Sequence, residues 1–457
     1  MKILVAGWDS GGGVEVVQAV VRRAVARGHD VRVLGTEGLR PGFESAGAVF
    51  RRYRYAPDND LRWPETDLVK DWEVRNPLRL WGRLRDRLLV GPASQFCRDV
   101  LEELSRVPAD VVVVDTMIPS AAFGAEAAGV PAVIVMHGPY MVPRAEVPPL
   151  GTGFMPARGS LGRLRDQSAA ALALGTFRSS LPALNQVRAE VGLAPLREAR
   201  ELMGSRILVC SSPSFDFAPS SIPGNVRYTG PQLDDAPSTA SRNPWVIPSG
   251  RPLVLVGLSS TVMRQEGLLQ RIADALGQLP VQGLITTGPA VDPALIAAPP
   301  NVTVTRWVRH ADVLPECSVV ITHGGHGTVM KALTAGIPLL VVPLGRDQPD
   351  NAARVVHAGA GLRLRKKARV SAVRAATARL IEDPHYRDAA VRMATQLAAE
   401  RDDNLVVDEL EQIAAGRRPR PPAAAGPPLP QTRPAPKSAR PVNPPAPPAT
   451  GARSGRT

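Results

Sequence analysis

The run Ile321-Thr322-His323-Gly324-Gly325-His326-Gly327-Thr328 passes from an apolar stretch into a segment with helical spacing, Val329 to Leu333. Glycines at such a junction let the backbone approach a ligand closely and leave N–H groups free to point at it. A helix opening there adds partial positive charge. This is the chemistry of an anion site, suited to a diphosphate. His323, at the end of the preceding strand, is placed to donate one more hydrogen bond to that anion. A tight strand–turn–helix with a satisfied histidine would use the same residues, so the run alone leaves both readings open. His323 and His326 lack a third ligand, and no metal site is expected from them. Further on, Leu339 to Val342 reads as a strand that ends in Pro343-Leu344-Gly345-Arg346-Asp347-Gln348. Asp347 and Gln348 put a carboxylate and an amide just beyond a strand end, a pair suited to vicinal hydroxyls.

These residues need a scaffold that carries strand ends to one edge. Ile3-Leu4-Val5-Ala6 and Val111-Val112-Val113-Val114 are short, wholly apolar runs of the kind that form strands buried on both faces. A helical segment from Val14 to Arg27 stops at Gly28, and another from Ala121 to Ala128 stops at Gly129. Strands at Asp30–Leu34 and Ala132–Met136 complete the alternation. The pattern pauses over 230–251, which holds four prolines, and resumes at Leu253-Val254-Leu255-Val256. A helix at about Gln265–Leu276 and strands at about Gly283–Thr286, Val302–Thr305 and Val319–Thr322 follow. The expected architecture is α/β, with two Rossmann-like doubly wound domains facing across a cleft. The expected boundaries are a first domain over 1–228, a linker over 229–251, a second domain over 252–416 and a tail over 417–457. The tail is rich in Pro, Ala and Arg, lacks apolar periodicity and is expected to be disordered.

Composition narrows the function. Lys and Arg number 55 against 42 Asp and Glu, a formal charge of +13 over 457 residues. Eight of the basic residues and no acidic ones lie in 417–457, which leaves 47 against 42 elsewhere. The basic balance is largely a property of the tail, and nucleic-acid binding by the folded part is not implied. Three separated cysteines make no disulfide framework and no metal-ligand spacing. The apolar run after Met1 is too short for a signal-peptide core, and no stretch is long enough for a membrane span. The expected address is the cytoplasm. Gly11-Gly12-Gly13 follows a strand, but Val16 stands where the dinucleotide fingerprint needs a third glycine, so a Rossmann dehydrogenase is disfavoured.

The order Trp307-Val308, His323-Gly324-Gly325-His326-Gly327-Thr328, Gly336-Ile337-Pro338 and Asp347-Gln348 resembles the donor-binding motif of glycosyltransferase family 1. That family includes plant UDP-glycosyltransferases and bacterial antibiotic and sterol glycosyltransferases. The resemblance covers about 1–415 and is specific in the second half. It implies the GT-B fold, which agrees with the two domains read from periodicity. It also implies roles. Trp307 would stack on the nucleotide base and Val308 would meet the base edge through its backbone. His310 is an accepted variant just after them. His323 would hold a donor phosphate, and Gly325, Gly327 and Thr328 would cradle the diphosphate. Asp347 and Gln348 would bind sugar hydroxyls, and Ser259, Ser260 and Thr261 would line the same cleft. No metal and no cofactor are implied, because helix dipole and basic side chains stabilise the leaving diphosphate.

The chain departs from the family in two places. Lys331 stands where many members carry a Glu that bonds the ribose. Gly13 occupies the place of the general base, although Asp115 matches the aspartate that orients it. Deprotonating an acceptor hydroxyl needs a base within about 3 Å. The candidates are Asp115, Asp9 and His137, the last at a strand end that points into the cleft. Residues 61–90 interleave Trp63, Trp72 and Trp81 with arginines. They suggest either a cover for the first domain or a basic amphipathic helix that grips an apolar acceptor or an anionic membrane.

The sequence therefore implies a glycosyltransferase that moves a hexose-type sugar from a UDP- or dTDP-sugar to a hydroxyl of a hydrophobic small-molecule or lipid acceptor, with inversion. The alternative is a non-catalytic nucleotide-sugar-binding protein that has lost its base. A weaker third reading is a GT-B enzyme of another reaction, such as sugar-nucleotide epimerisation.

Overall fold

The structure is a computed structural model that describes residues 1–416 apart from 75, 145, 218–221 and 234–249. The expected tail and most of the expected linker lie outside the described residues. Among the described residues, thirteen strands form two sheets. The first holds β1 (Lys2–Ala6), β2 (Asp30–Gly35), β3 (Val49–Arg52), β4 (Val111–Asp115), β5 (Ala132–Met136), β6 (Ile207–Val209) and β7 (Val226–Tyr228), in the order β3-β2-β1-β4-β5-β6-β7. The second holds β8 (Leu253–Gly257), β9 (Gln282–Thr286), β10 (Val302–Thr305), β11 (Cys317–Thr322), β12 (Leu339–Val341) and β13 (Gly361–Arg363), in the order β10-β9-β8-β11-β12-β13. The strand pairs in both sheets are parallel. Every residue of β4 and β8 is buried, which is why both read as unbroken apolar runs.

Chain order reverses beside β1 in the first sheet and beside β8 in the second. Crevices open at the strand ends at such points, between β1 and β4 and between β8 and β11. Val5 lies between Val33 and Val113, and Ile321 lies between Val256 and Leu340. These registers bring the loops after β1, β4, β8 and β11 to matching edges of their sheets.

Three features differ from the sequence expectation. The helix Leu405–Ala415 does not stay with the second sheet. Val406, Val407 and Leu410 are buried in a cluster with Val16, Val17, Val20, Val21, Val111 and Val113 of the first. An apolar stripe on a terminal helix carries no mark of which sheet it will cover. Secondly, segment 61–90 has a single 3-10 turn at Asp71–Glu73 and is α-helical from Pro77 to Leu84, with a wider turn continuing over Arg85–Leu89. Trp81 meets Phe177 edge-on at 4.8 Å, and Leu88 and Leu89 are buried. Arg62, Arg83 and Arg85 pair with Asp60, Glu73 and Asp86. The segment therefore covers the first domain. Thirdly, β3 and β7 are short and mixed in character, and β6 is an apolar run of only three residues, so none was legible. Cys97, Cys210 and Cys317 are buried and free. Among the described residues, no helix is long and apolar enough to cross a membrane.

Candidate active site

The loop after β11 carries the glycine run into the helix His326–Thr334. Gly324 has φ of +96°, and a Cβ there would stand 2.8 Å from Val341 Cγ1. Only glycine fits this turn. The His323 ring lies over Gly325, where a Cβ would come within 2.7 Å of its Nε2. The Thr322 hydroxyl accepts from the Gly324 N–H at 3.3 Å and lies 3.4 Å from His323 Nδ1. Burial lowers the His323 pKa to about 4, against the opposing pull of Asp347. Burial thus favours the neutral ring, and the Gly257 backbone is a further hydrogen-bond partner of the imidazole. Space around Gly327 is open, and Thr328 is half-buried. His326 turns the other way, with Nε2 3.4 Å from the Cys210 carbonyl oxygen and Nδ1 buried without a partner. The two histidines thus do not converge. Among the described residues no group of three or more His, Cys, Asp or Glu side chains is placed to hold a metal ion.

Asp347 precedes the helix Gln348–His357 and is half-buried beside this loop. Asn351 donates at 2.8 Å both to Asp347 Oδ2 and to the Gly324 carbonyl. It ties the carboxylate to the glycine turn. Sequence reasoning passed over Asn351, although its spacing of four from Asp347 puts both on one helix face. Gln348 serves a different end from the one implied. Its Oε1 accepts from the N–H groups of Leu344 at 2.8 Å and Gly345 at 3.0 Å, and the side chain is buried. It holds the loop rather than presenting an amide to the cleft.

Trp307, just after β10, is 70% exposed, while Val308 is buried in the core of the second sheet. The indole face is thus open and its neighbour pins the loop. His310 lies against the end of β8, 3.3 Å from where a Cβ on Gly257 would stand. In the turn after β8, the Ser259 and Thr261 hydroxyls are buried 2.9 Å apart, and Gln265 holds the Ser259 backbone through its N–H and carbonyl. Ser260 is exposed.

The first sheet faces this assembly across the cleft. A Cβ on Gly11 would stand 3.1 Å from Thr261 Cγ2. Arg346, with φ of +57°, places its guanidinium on Asp71 at 2.7 and 3.1 Å and its third nitrogen 3.4 Å from the Thr261 hydroxyl. Asp350 accepts from the N–H groups of Gly151 at 2.6 Å and Gly153 at 2.8 Å. Arg354 donates twice to Asp216 Oδ1, and both side chains are buried. Lys331 pairs with Glu15 at 3.1 Å. None of these cross-cleft partners was legible in the sequence, because each pair is separated by well over a hundred residues.

Of the three base candidates, Asp9 is committed to its loop. Its Oδ1 accepts from Gly11 N and its Oδ2 from Leu61 N, at 3.0 and 2.8 Å. Asp115, at the end of β4, accepts from Met117 N at 2.8 Å and lies 3.5 Å from His137 Nε2.

Residues 270–413 match the model of the C-terminal domain of the erythromycin biosynthesis protein CIII-like family. The chain is 31% identical over 424 residues to 4'-demethylrebeccamycin synthase from Lentzea aerocolonigenes, covering 90% of this chain and 98% of that one. The chain belongs to glycosyltransferase family 1. It is also 28% identical to the O-mycaminosyltylonolide 6-deoxyallosyltransferase of Streptomyces fradiae, over 88% of this chain and 94% of that one. The calicheamicin glycosyltransferase superposes with a TM-score of 0.70 at 22% identity, covering 92% of this chain and 99% of that one. The glycosyltransferase of kitacinnamycin gives 0.71 at 21%, covering 90% and 98%. The fold of this glycosyltransferase is GT-B, and the chain is an enzyme of the sugar-transferring class.

Proposed function

We propose that this glycosyltransferase transfers a hexose-type sugar from a UDP- or dTDP-sugar to a hydroxyl of a hydrophobic acceptor, with inversion at the anomeric carbon. The observation that carries this reading is the cluster at the end of β11. The His323 ring over Gly325, the open backbone at Gly327, Thr328 and the start of a helix lie on one edge, beside Asp347. In this reading the Trp307 face takes the nucleotide base. His323 and the helix N–H groups take the diphosphate and stabilise it as it leaves. Asp347 takes sugar hydroxyls, and Ser259 to Thr261 and His310 wall the cleft. Attack from the face opposite the diphosphate inverts the centre. The structural neighbours include the glycosyltransferase VinC in complex with dTDP and a spinosyn rhamnosyltransferase complexed with thymidine diphosphate, so dTDP is the first nucleotide to try. The relatives named 4'-demethylrebeccamycin synthase and O-mycaminosyltylonolide 6-deoxyallosyltransferase support a small hydrophobic natural product as acceptor.

Calorimetry with dTDP and UDP tests the donor site. His323→Ala is expected to weaken binding by about 2 kcal/mol, the worth of a hydrogen bond to a charged group. Absence of binding by the intact chain would overturn the reading. Product stereochemistry tests the rest, because an α-linked donor should give a β-linked product.

A further inference from the structure

Gly13 has no side chain, yet the space above it is filled. A Cβ there would stand 2.7 Å from both Cγ and Nδ1 of His137, and 2.4 Å from Ser10 Oγ. The imidazole of His137, carried from the end of β5, lies where a side chain on residue 13 would have to be. Its Nε2 faces Asp115 Oδ1 at 3.5 Å. No closer partner of that nitrogen exists among the described residues, and Asp115 Oδ2 and Ser10 Oγ are also buried without partners. The His137 side chain remains 16% exposed. A half-satisfied buried polar cluster is costly unless something uses it.

Resting on the transferase reading above, we propose that His137 is the general base, relocated from the first helix to the end of β5, that Asp115 positions it, and that Gly13 is glycine to admit its ring. In this arrangement Nε2 carries the proton and turns it toward Asp115 Oδ1 at 3.5 Å, which leaves the Nδ1 lone pair for the acceptor. As the acceptor oxygen bonds to the anomeric carbon, its proton passes to Nδ1. The bond from the anomeric carbon to the diphosphate oxygen breaks, and its electron pair leaves with the nucleoside diphosphate. The imidazolium that forms is held by the Asp115 carboxylate. Asp9 is the weaker candidate, since one backbone N–H on each of its oxygens holds it in its loop.

The charged and titratable groups facing His137 are Asp115 from β4, Asp347 across the cleft and His326, whose ring lies beside Gly138. Burial lowers the His137 pKa, but Asp115 and Asp347 together outweigh it and leave the pKa above its ordinary value. A base must be neutral to act, so turnover should fall as pH drops through that raised pKa. In Asp115→Asn the acid limb should move to lower pH.

The experiment measures nucleoside diphosphate released from dTDP-glucose and UDP-glucose by the full chain, with planar phenols or water as acceptor, and nucleotide binding alongside. His137→Ala should lose about 10²- to 10⁴-fold in turnover while binding dTDP within twofold of the intact chain. Gly13→Ala should also lose turnover, because its methyl displaces the ring. Gly12→Ala, where a Cβ would meet nothing within 4 Å, should not. Turnover by His137→Ala within threefold of the intact chain, with an unchanged pH profile, would overturn the proposal. Failure of the transferase reading looks different, since the intact chain would then neither bind nucleotide nor consume donor. In that event an NMR titration of His137 decides the dyad: a pKa unchanged in Asp115→Asn would sink it.

Discussion

Lys331 Nζ meets Glu15 Oε2 at 3.1 Å, and this pair joins the helix that follows β11 to the helix that follows β1. Lys331 stands where many relatives in the family carry a ribose-binding Glu, and here the residue reaches across the cleft instead. The Glu15 side chain is 64% exposed, so the pair is worth only about 0–1 kcal/mol. Lys331→Glu is expected to lower the melting temperature slightly and to weaken dTDP binding by opening the cleft. Exchanging both charges, Glu15→Lys with Lys331→Glu, should recover most of the loss. Paired thermal melts and calorimetry check this, and a double variant no better than the single one would refute it.

The Asp216–Arg354 pair is of another kind. Its side chains are 2% and 5% exposed, and Asp216 also accepts from Tyr140 N and Tyr228 OH. Removing one partner leaves a buried charge alone, at a cost of about 3–5 kcal/mol. Asp216→Ala should shift the urea unfolding midpoint accordingly. A shift no larger than that of a surface charge would mean that the two halves are not held here.

Acid stability should depend on His326. Burial lowers its pKa to about 4, whereas an unfolded histidine titrates near 6.5. Between these values the unfolded chain binds the extra proton, so stability rises with pH across the window and is lost as pH falls through about 4. His326→Gln should flatten this dependence by on the order of 3 kcal/mol. Asp350 opposes it. Burial raises its pKa to about 6, against the N–H groups of Gly153 and Gly151 that lower it. The folded chain therefore keeps that proton longer, and its contribution to stability is lost as pH rises from about 4 to 6. Asp350→Asn should make the acid sensitivity steeper. Unfolding free energies of both variants from pH 4 to 7 give the comparison.

Trp307 is the group that should discriminate nucleotide from bare diphosphate. Loss of a stacking face is worth about 1–3 kcal/mol per base. Trp307→Ala should weaken dTDP and UDP binding by that amount and leave pyrophosphate affinity unchanged. Equal losses for all three ligands would place the base elsewhere.

Much of this molecule was legible in local sequence. The central parallel strands announce themselves because both faces are buried, as at Val111–Val114 and Leu253–Val256. The glycine loop after β11 is legible because Gly324 and Gly325 are demanded by the turn and by the His323 ring. What was illegible depends on distance along the chain. Nothing near Gly13 says that His137 fills its space, and nothing near Arg346 names Asp71. Gln348 was misjudged because its carbonyl closes a turn onto Leu344 and Gly345, a use that the dipeptide Asp347-Gln348 does not reveal.

The helix Leu405–Ala415 has a consequence for recombination. Its apolar side chains seat among Val16, Val17, Val20 and Val21, and its Glu411 reaches His29 at 2.8 Å. A hybrid enzyme made by exchanging everything after the middle of the chain would bring a foreign last helix to a native seat. Donor exchange in this family member therefore needs two crossover points. The second belongs between the helix Pro384–Glu400 and Leu405, so that the final eleven-residue helix travels with the first sheet.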